Sequence, residues 1–288
     1  MRLVRDQDVR YRPAAHEDAA DEHAIFCAAV GELHRARTYP WSDPSLDDFT
    51  KARTHVMATD PERCWAAELG GRVVGYTRAI VRGDTWFFAS LFVDPAAQGR
   101  GIGRRLFDLA LDGAPSRRMT ITDSIQPISN AMYGMHGLLP IAPLVRLVGR
   151  ATAHGVGLHL AEASIEGLAQ VDRAAYGFDR RIDHPYWASR GTRHAWSRGG
   201  TVIAWSYRWP NGNIGPLAAV DPQSAVDALG AELALDPNAS IEVPASARPL
   251  LSAALAAGLR IEPPMGLLLA TDGIPGPTSL AIGTYGLY

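Results

Sequence analysis

The sequence predicts an α/β protein made of two copies of one domain, each a mixed, mostly antiparallel sheet flanked by helices. Three observations predict it. Strand and helix patterns alternate along the 288 residues rather than running in one kind. Three consecutive strands joined by short turns feed a helix ending near Leu111. The same order of features then returns in the second half of the chain.

Taken in order, Val9-Arg10-Tyr11-Arg12 alternates and reads as a strand. Residues Asp18 to Leu33 set Ala20, Ala24, Cys27 and Ala28 on one helical face, with Ile25 and Val30 beside it. Thr38 to Asp48 is rich in turn formers and predicts a loop between two helices. Cys64 to Leu69 reads as a strand, Gly70-Gly71 as a hairpin turn and Val73 to Val81 as the returning strand. Gly83-Asp84 turns the chain again into Thr85 to Val93. A helix from about Gly101 to Leu111 follows, its apolar stripe being Ile102, Leu106, Leu109 and Ala110. Met119 to Thr122 reads as a further strand.

The repeat matches Cys64-Trp65-Ala66-Ala67, Gly70-Gly71, Val73 to Thr77 and Val93-Asp94-Pro95 to a second set. That set is Ala195-Trp196-Ser197, Gly199-Gly200, Val202 to Ser206 and Val220-Asp221-Pro222. Leu158-His159-Leu160 and the helix after Ser164 mirror the start of the first copy. The two domains are expected at 1–152 and 153–288, joined between about Leu147 and Gly155.

Charge and composition exclude several classes. Lys and Arg total 28 against 30 Asp and Glu, a net charge of −2, so no global basic field draws the protein to nucleic acid. Two cysteines, Cys27 and Cys64, cannot build a disulfide framework and are expected as free thiols. Met1 to Pro13 has no apolar core of a signal peptide, and Gly137 to Val148 is broken by Pro140, Pro143 and Arg146. A cytoplasmic protein with no membrane partner is the expectation. No His or Cys pair stands at zinc-ligand spacing, so no metal is expected.

The chemistry is concentrated at Leu91 to Phe107, a strand, a glycine-rich turn and a helix start. Glycines at 99, 101 and 103 let backbone N–H groups converge on a ligand. A helix N-terminus adds unpaired donors and partial positive charge, a combination that binds phosphate. A Walker loop needs Lys-Ser/Thr where Arg104-Arg105 stand, and a dinucleotide fingerprint needs glycine where Leu106 stands. The pattern that fits is Gln/Arg-x-x-Gly-x-Gly/Ala, filled by Gln98, Gly101 and Gly103.

At these residues the sequence resembles the GCN5-related N-acetyltransferase (GNAT) family. The resemblance extends to the order of elements and to Met132-Tyr133-Gly134-Met135-His136-Gly137-Leu138, which matches the family's Leu-Tyr-x-x-x-Gly-Phe. Gln126 falls where the family has Asn, and Ser129 where it has Ala. The resemblance implies acetyl transfer from acetyl-CoA, as co-substrate, to an amine. It implies that Phe92 and Val93 pair with the pantetheine arm and that Gln98, Gly99, Arg100, Gly101, Ile102, Gly103 and Arg104 wrap the pyrophosphate. Gln126 would then touch the CoA arm, and Tyr133 would protonate the departing thiolate.

The second copy has no glycines after Asp221-Pro222, and Ala254 stands at its tyrosine position, so its fold is expected without its site. A CoA-binding regulator without turnover is the rival reading. Asp84 and Asp123 are candidate general bases, with turn or surface carboxylates as the alternative. His184 could line a pocket from a loop, and Trp86-Phe87-Phe88 is expected as core with one ring on the cleft. His16, His23, His34 and His55 read as surface residues. In the family the loop between the first two helices lines the acceptor side, and here it carries Tyr39, Trp41, Asp43, Asp47 and Asp48. That lining suits a cationic small-molecule or peptide amine, and the same acids also suit a solvated loop. A monomer or homodimer is expected.

Overall fold

A computed structural model describes residues 9–152 and 157–288; residues 1–8 and part of the expected junction lie outside it. Packing divides the chain into two units. One holds the chain up to Thr120 together with Ile125–His136, and the other holds Ile121–Ser124 and Gly137–Tyr288.

The first unit contains β1 (Val9–Pro13), α1 (Ala19–Ala36), α2 (Leu46–Thr59), β2 (Cys64–Leu69), β3 (Arg72–Arg82), β4 (Thr85–Val93), α3 (Ile102–Leu111), the start of β5 (Arg117–Asp123, whose last residues fall in Ile121–Ser124 of the second unit) and α4 (Pro127–Met135). The strands run β1-β2-β3-β4-β5, antiparallel until β4, which pairs with β5 in parallel. Gly70 and Gly71 hold φ of 58° and 79° at the β2–β3 hairpin, a conformation that glycine adopts without a Cβ clash. One sheet face packs Ala67, Val93, Ile102 and Leu106 under α3. The other buries Ile25, Ala66 and Tyr76 beneath α1.

The second unit contains β6 (Leu139–Arg150), β7 (His159–Ala161), α5 (Ile165–Tyr176), α6 (His184–Arg190), β8 (Thr192–Arg198), β9 (Thr201–Arg208), β10 (Asn213–Ala219), α7 (Pro222–Leu235), β11 (Asn238–Pro244), α8 (Arg248–Ala256), β12 (Arg260–Ile261), β13 (Gly266–Ala270) and β14 (Leu280–Ala281). Its strands run β13-β6-β11-β10-β9-β8-β7, with β12 beside β6 and β14 beside β10. Gly199 and Gly200 repeat the hairpin at φ of 58° and 82°. The division by packing at His136/Gly137 precedes the division by repeat at 152/153. The reason is β6, which pairs with β11 and β13 and so is built into the second unit.

Several expectations change on contact with the fold. On α1 the alanine face is the exposed one; Glu22, Ile25, Val30, Gly31 and His34 are buried instead. The larger side chains remove more apolar area than alanines can, and Glu22 is drawn inward by ion pairs with Arg53 and Arg78. His34 therefore leaves the surface, its Nδ1 lying 3.3 Å from the Pro40 carbonyl. Trp86, Phe87 and Phe88 are all buried, because both faces of β4 are covered at that end. His184 lies at the first turn of a helix, not in a loop. It is 0% exposed, with Nδ1 2.9 Å from the Tyr207 hydroxyl and Nε2 3.4 Å from Asp172. It lines no opening.

Candidate functional site

The site is built from β4 and the start of α3. The β4–β5 ladder runs from Thr85↔Arg117 to Phe88↔Thr120, and β4 continues past that last rung to Val93. The β3–β4 register slips between Arg78↔Ser90 and Ala79↔Phe88, which makes Ala89 the extra residue of a bulge. Beyond it, Tyr76↔Phe92 and Gly75↔Val93 keep the outer half of β4 pinned to β3. Gly75 is needed there, since a Cβ would stand 3.2 Å from the Phe92 carbonyl and from Leu106.

After β4 the Asp94 side chain accepts from Ala96 N–H at 2.9 Å, holding a short 3-10 turn over Pro95–Ala97. Gln98 does not point outward for a ligand: its Nε2 donates to the Val93 carbonyl at 3.0 Å, fastening the turn to the strand. Gly99 and Gly101 adopt φ of 76° and 81°, and a Cβ on either would meet nothing within 4 Å. Backbone conformation, not crowding, is what requires glycine at both. Gly101 is the N-cap of α3 and brings no side chain to the first turn. The N–H groups of Ile102, Gly103 and Arg104 thus head a helix whose partial positive end is uncapped. Ile102 is buried and anchors the helix, while Arg100, Arg104 and Arg105 are exposed around the turn.

The other residues that the family resemblance singles out have partners inside the protein. The Gln126 side-chain oxygen accepts from Ile128 N–H at 3.3 Å and caps α4. Tyr133 is 5% exposed, its ring 5.7 Å from Phe88 and 5.9 Å from Phe107. Burial pushes its phenol above the ordinary tyrosine range, opposed by a hydrogen bond with Ser129 one turn back. Asp84 stands at the β3–β4 turn, exposed and 3.3 Å from Arg117, nine residues from Val93 and so roughly 30 Å along the strand. Asp123 belongs to the second unit. Among the described residues no group of three or more His, Cys, Asp or Glu is gathered to hold a metal ion.

The second unit offers a direct contrast. Its pairing sets Ala204 opposite Ala219, as Gly75 stands opposite Val93, and Val220 N–H donates to Ile203 as Asp94 N–H does to Val74. The structural match is therefore one residue earlier than the Val-Asp-Pro motif suggests. The helix α7 begins three residues after Ala219, whereas α3 begins nine after Val93, so the whole turn is missing. Asp221 occupies the helix N-terminus instead, accepting from Ser224 N–H at 2.8 Å. Where Phe92 stands opposite Tyr76, Ala218 stands opposite Trp205.

Residues 27–138 match the model of the acetyltransferase (GNAT) family. They form a GNAT domain. No curated protein matches the sequence significantly. Among solved structures, a candidate acetyltransferase from Pyrococcus horikoshii is 17% identical, covers 100% of this chain and 99% of its own, and superposes with a TM-score of 0.80. A GCN5-related N-acetyltransferase from Sphaerobacter thermophilus is 12% identical over 94% of this chain and 99% of its own, with a TM-score of 0.61. A tandem GNAT protein from the clavulanic acid biosynthesis pathway is 17% identical over 93% and 99%, with a TM-score of 0.58. At these identities the likeness is one of fold, and it takes in both units. The GNAT fold supports acetyl transfer as the general chemistry and implies acetyl-CoA binding in general terms. No helix among the described residues is long and apolar enough to cross a membrane.

Proposed function

We infer that the protein moves acetyl from acetyl-CoA to an amine, using the first unit alone to bind CoA. The observation that carries this reading is the asymmetry between the two helix starts. In the first unit a turn with two left-handed glycines leads to an uncapped helix N-terminus flanked by arginines; in the second, a carboxylate fills the corresponding place. Gly99, Gly101 and Gly103 present backbone to the pyrophosphate, and Ile102 N–H and its neighbours supply donors. Arg100 and Arg104 neutralise charge from the rim, and Gln98 acts by holding the turn to Val93. Gln126 serves as the α4 cap, so its contribution to the CoA arm is through backbone placement.

In the reaction, the neutral amine nitrogen forms a bond to the acetyl carbon while the carbon–sulfur bond breaks, its electron pair going to sulfur. One proton passes from the nitrogen to solvent water, and the thiolate takes one from Tyr133, which solvent then restores. Backbone N–H near Phe92 or Val93, past the last β4–β5 rung, would steady the carbonyl oxygen as charge develops. Tyr133 is protonated throughout the ordinary pH range, as a proton donor must be. Its burial also favours the second reading, a CoA-binding regulator without turnover, because a phenol sealed among Phe88 and Phe107 is a poor donor until it reaches the sulfur. The acceptor is a small-molecule or peptide amine, and the chain works in the cytoplasm as a monomer or homodimer.

The test is free-thiol release from acetyl-CoA across an amine panel, beside calorimetric titration with CoA. One CoA per chain and amine-dependent thiol release support the reading. Binding without release would leave the regulator; no binding would remove both.

A further inference from the structure

Phe92 separates two faces of β4. Its neighbours Leu91 and Val93 face α3, where a Cβ on Gly103 would stand 3.6 Å from Val93 and 4.0 Å from Leu91. Phe92 itself turns the other way, its ring 4.9 Å from Phe26 on α1 and 5.7 Å from Tyr76 on β3. Phe26 also meets Phe49 on α2 at 5.8 Å and Trp41 of the connecting loop at 5.9 Å. Phe26, Trp41, Phe49 and Phe92 are each half-buried, so this aromatic group is part of the surface and not sealed core.

Beneath these rings lies Tyr76, 1% exposed, whose hydroxyl has no hydrogen-bond partner. Its ring is fixed from below by the Arg78 guanidinium at 4.5 Å, and Arg78 is itself paired with Glu22. Tyr76 packs on the α1 side of the sheet with Ile25 of α1, Phe49 and Phe92. Native proteins leave few buried hydroxyls unsatisfied. At the rim, the exposed Asp43 carboxylate is held by Trp41 Nε1 at 2.7 Å. A flat apolar surface, one buried polar atom without a partner and a carboxylate at the mouth together describe a complementary molecule.

We propose that the acceptor is a primary amine carried on a flat apolar body, an arylalkyl amine, seated among Phe26, Phe49 and Phe92 with its nitrogen hydrogen-bonded by the Tyr76 hydroxyl. The proposal rests on the acetyl-transfer reading above and names its substrate class. Tyr76 accepts a hydrogen from the amine N–H, which leaves the nitrogen lone pair free to attack. Asp43 attracts the ammonium form to the rim. Entry requires Phe49, edge-on to Tyr76 at 6.2 Å, to turn aside.

The experiment compares 2-phenylethylamine with propylamine and spermidine on the full chain, by thiol release and by calorimetric binding. Tyr76→Phe and Phe49→Ala are the variants. The expected result is a kcat/KM for 2-phenylethylamine at least about tenfold above the other two. Tyr76→Phe should raise its KM by about tenfold, the range of one hydrogen bond, with CoA titration unchanged. A tyrosine with only a structural role predicts the opposite pattern, since Tyr76→Phe deletes an unsatisfied group and would leave KM alone. Propylamine or spermidine acetylated as well as 2-phenylethylamine overturns the proposal and leaves acetyl transfer standing. Binding of 2-phenylethylamine, weakened by Tyr76→Phe, with no thiol released by any amine overturns acetyl transfer and keeps the amine site. Neither binding nor acetylation of 2-phenylethylamine sinks the proposal whatever the other amines do.

Discussion

Replacing Gly103 with valine separates the CoA site from the fold more cleanly than any other change at the turn. Gly103 is the second residue of α3 and has no positive φ, and a Cβ there stands in ordinary contact, 3.6 Å from Val93. Valine is a poor helix former but no worse than glycine, so stability should move by less than about 1 kcal/mol. Its two methyl groups would stand at the first turn, over the N–H groups that the pyrophosphate needs. Losing two hydrogen bonds to a charged group, at roughly 1.5–3 kcal/mol each, amounts to about 3–6 kcal/mol. At about 1.4 kcal/mol per decade, CoA affinity should fall by about 10²–10⁴-fold. Gly101→Val serves as the contrast. It forces a branched residue to φ of 81° and should cost about 1–2 kcal/mol of stability as well as affinity. Calorimetry and thermal unfolding on the same preparations read both quantities. A Gly103→Val protein that binds CoA within threefold of the parent, or a parent that binds two CoA per chain, would refute the assignment.

Tyr133→Phe should lower turnover by about 10²–10⁴-fold, the usual worth of positioned acid catalysis, with CoA affinity unchanged; unaltered turnover in steady-state kinetics removes it from the mechanism. Asp221→Ala should cost about 1 kcal/mol by uncapping α7 without creating a second CoA site, as read by unfolding and titration. A chain cut after residue 150 keeps β6 but loses its partners β11 and β13; it should aggregate, and a monodisperse, fully active fragment would contradict this. Burial raises the Glu242 carboxyl from 4.5 to about 7, opposed by a 2.7 Å hydrogen bond from Tyr285. The folded state thus holds a proton that the unfolded state releases, so this contribution to stability is full below pH about 4.5 and is lost as pH rises through about 7. The loss is at most about 3 kcal/mol, and Glu242→Gln should flatten it in unfolding curves taken across that range.

The strands and helices of the first unit were legible because local signals agreed with tertiary ones. Both Gly-Gly hairpins, the α3 stripe and the turn before it rest on short-range rules of backbone conformation. The burial of α1 was misread because an alanine stripe resembles an apolar face, while the side chains that set its orientation include the polar Glu22 and His34. The strand β6 was hidden by Pro140 and Pro143. Residues Leu139–Pro143 have a ladder partner in β13 alone, and β11 joins only from Leu144 onward, so the prolines fall where a missing N–H is tolerated. Helix α6 was missed because His184-Pro185 reads as a turn, although proline fits the first turn of a helix. Nothing local in the sequence shows that Gln98 and Gln126 spend their side chains on the protein's own backbone.

The comparison of the two copies also limits how the second could ever have been restored. A lost glycine turn is usually pictured as a set of substitutions, which reverse one at a time. Here the distance from the last paired residue of the strand to the helix falls from nine positions to three, so the loop that would carry the glycines does not exist. On the opposite face, Trp205 stands at the position of Tyr76, and Trp187 packs on it at 5.4 Å with His184 at 4.8 Å. Those rings are buried, whereas Phe26, Phe49 and Phe92 of the first copy are half-buried. A helix end closed by Asp221 and an aromatic plug of buried rings on the other face both stabilise the second unit. It follows that inserting six glycine-rich residues after Ala219 would restore the loop but not activity, because the plug would remain.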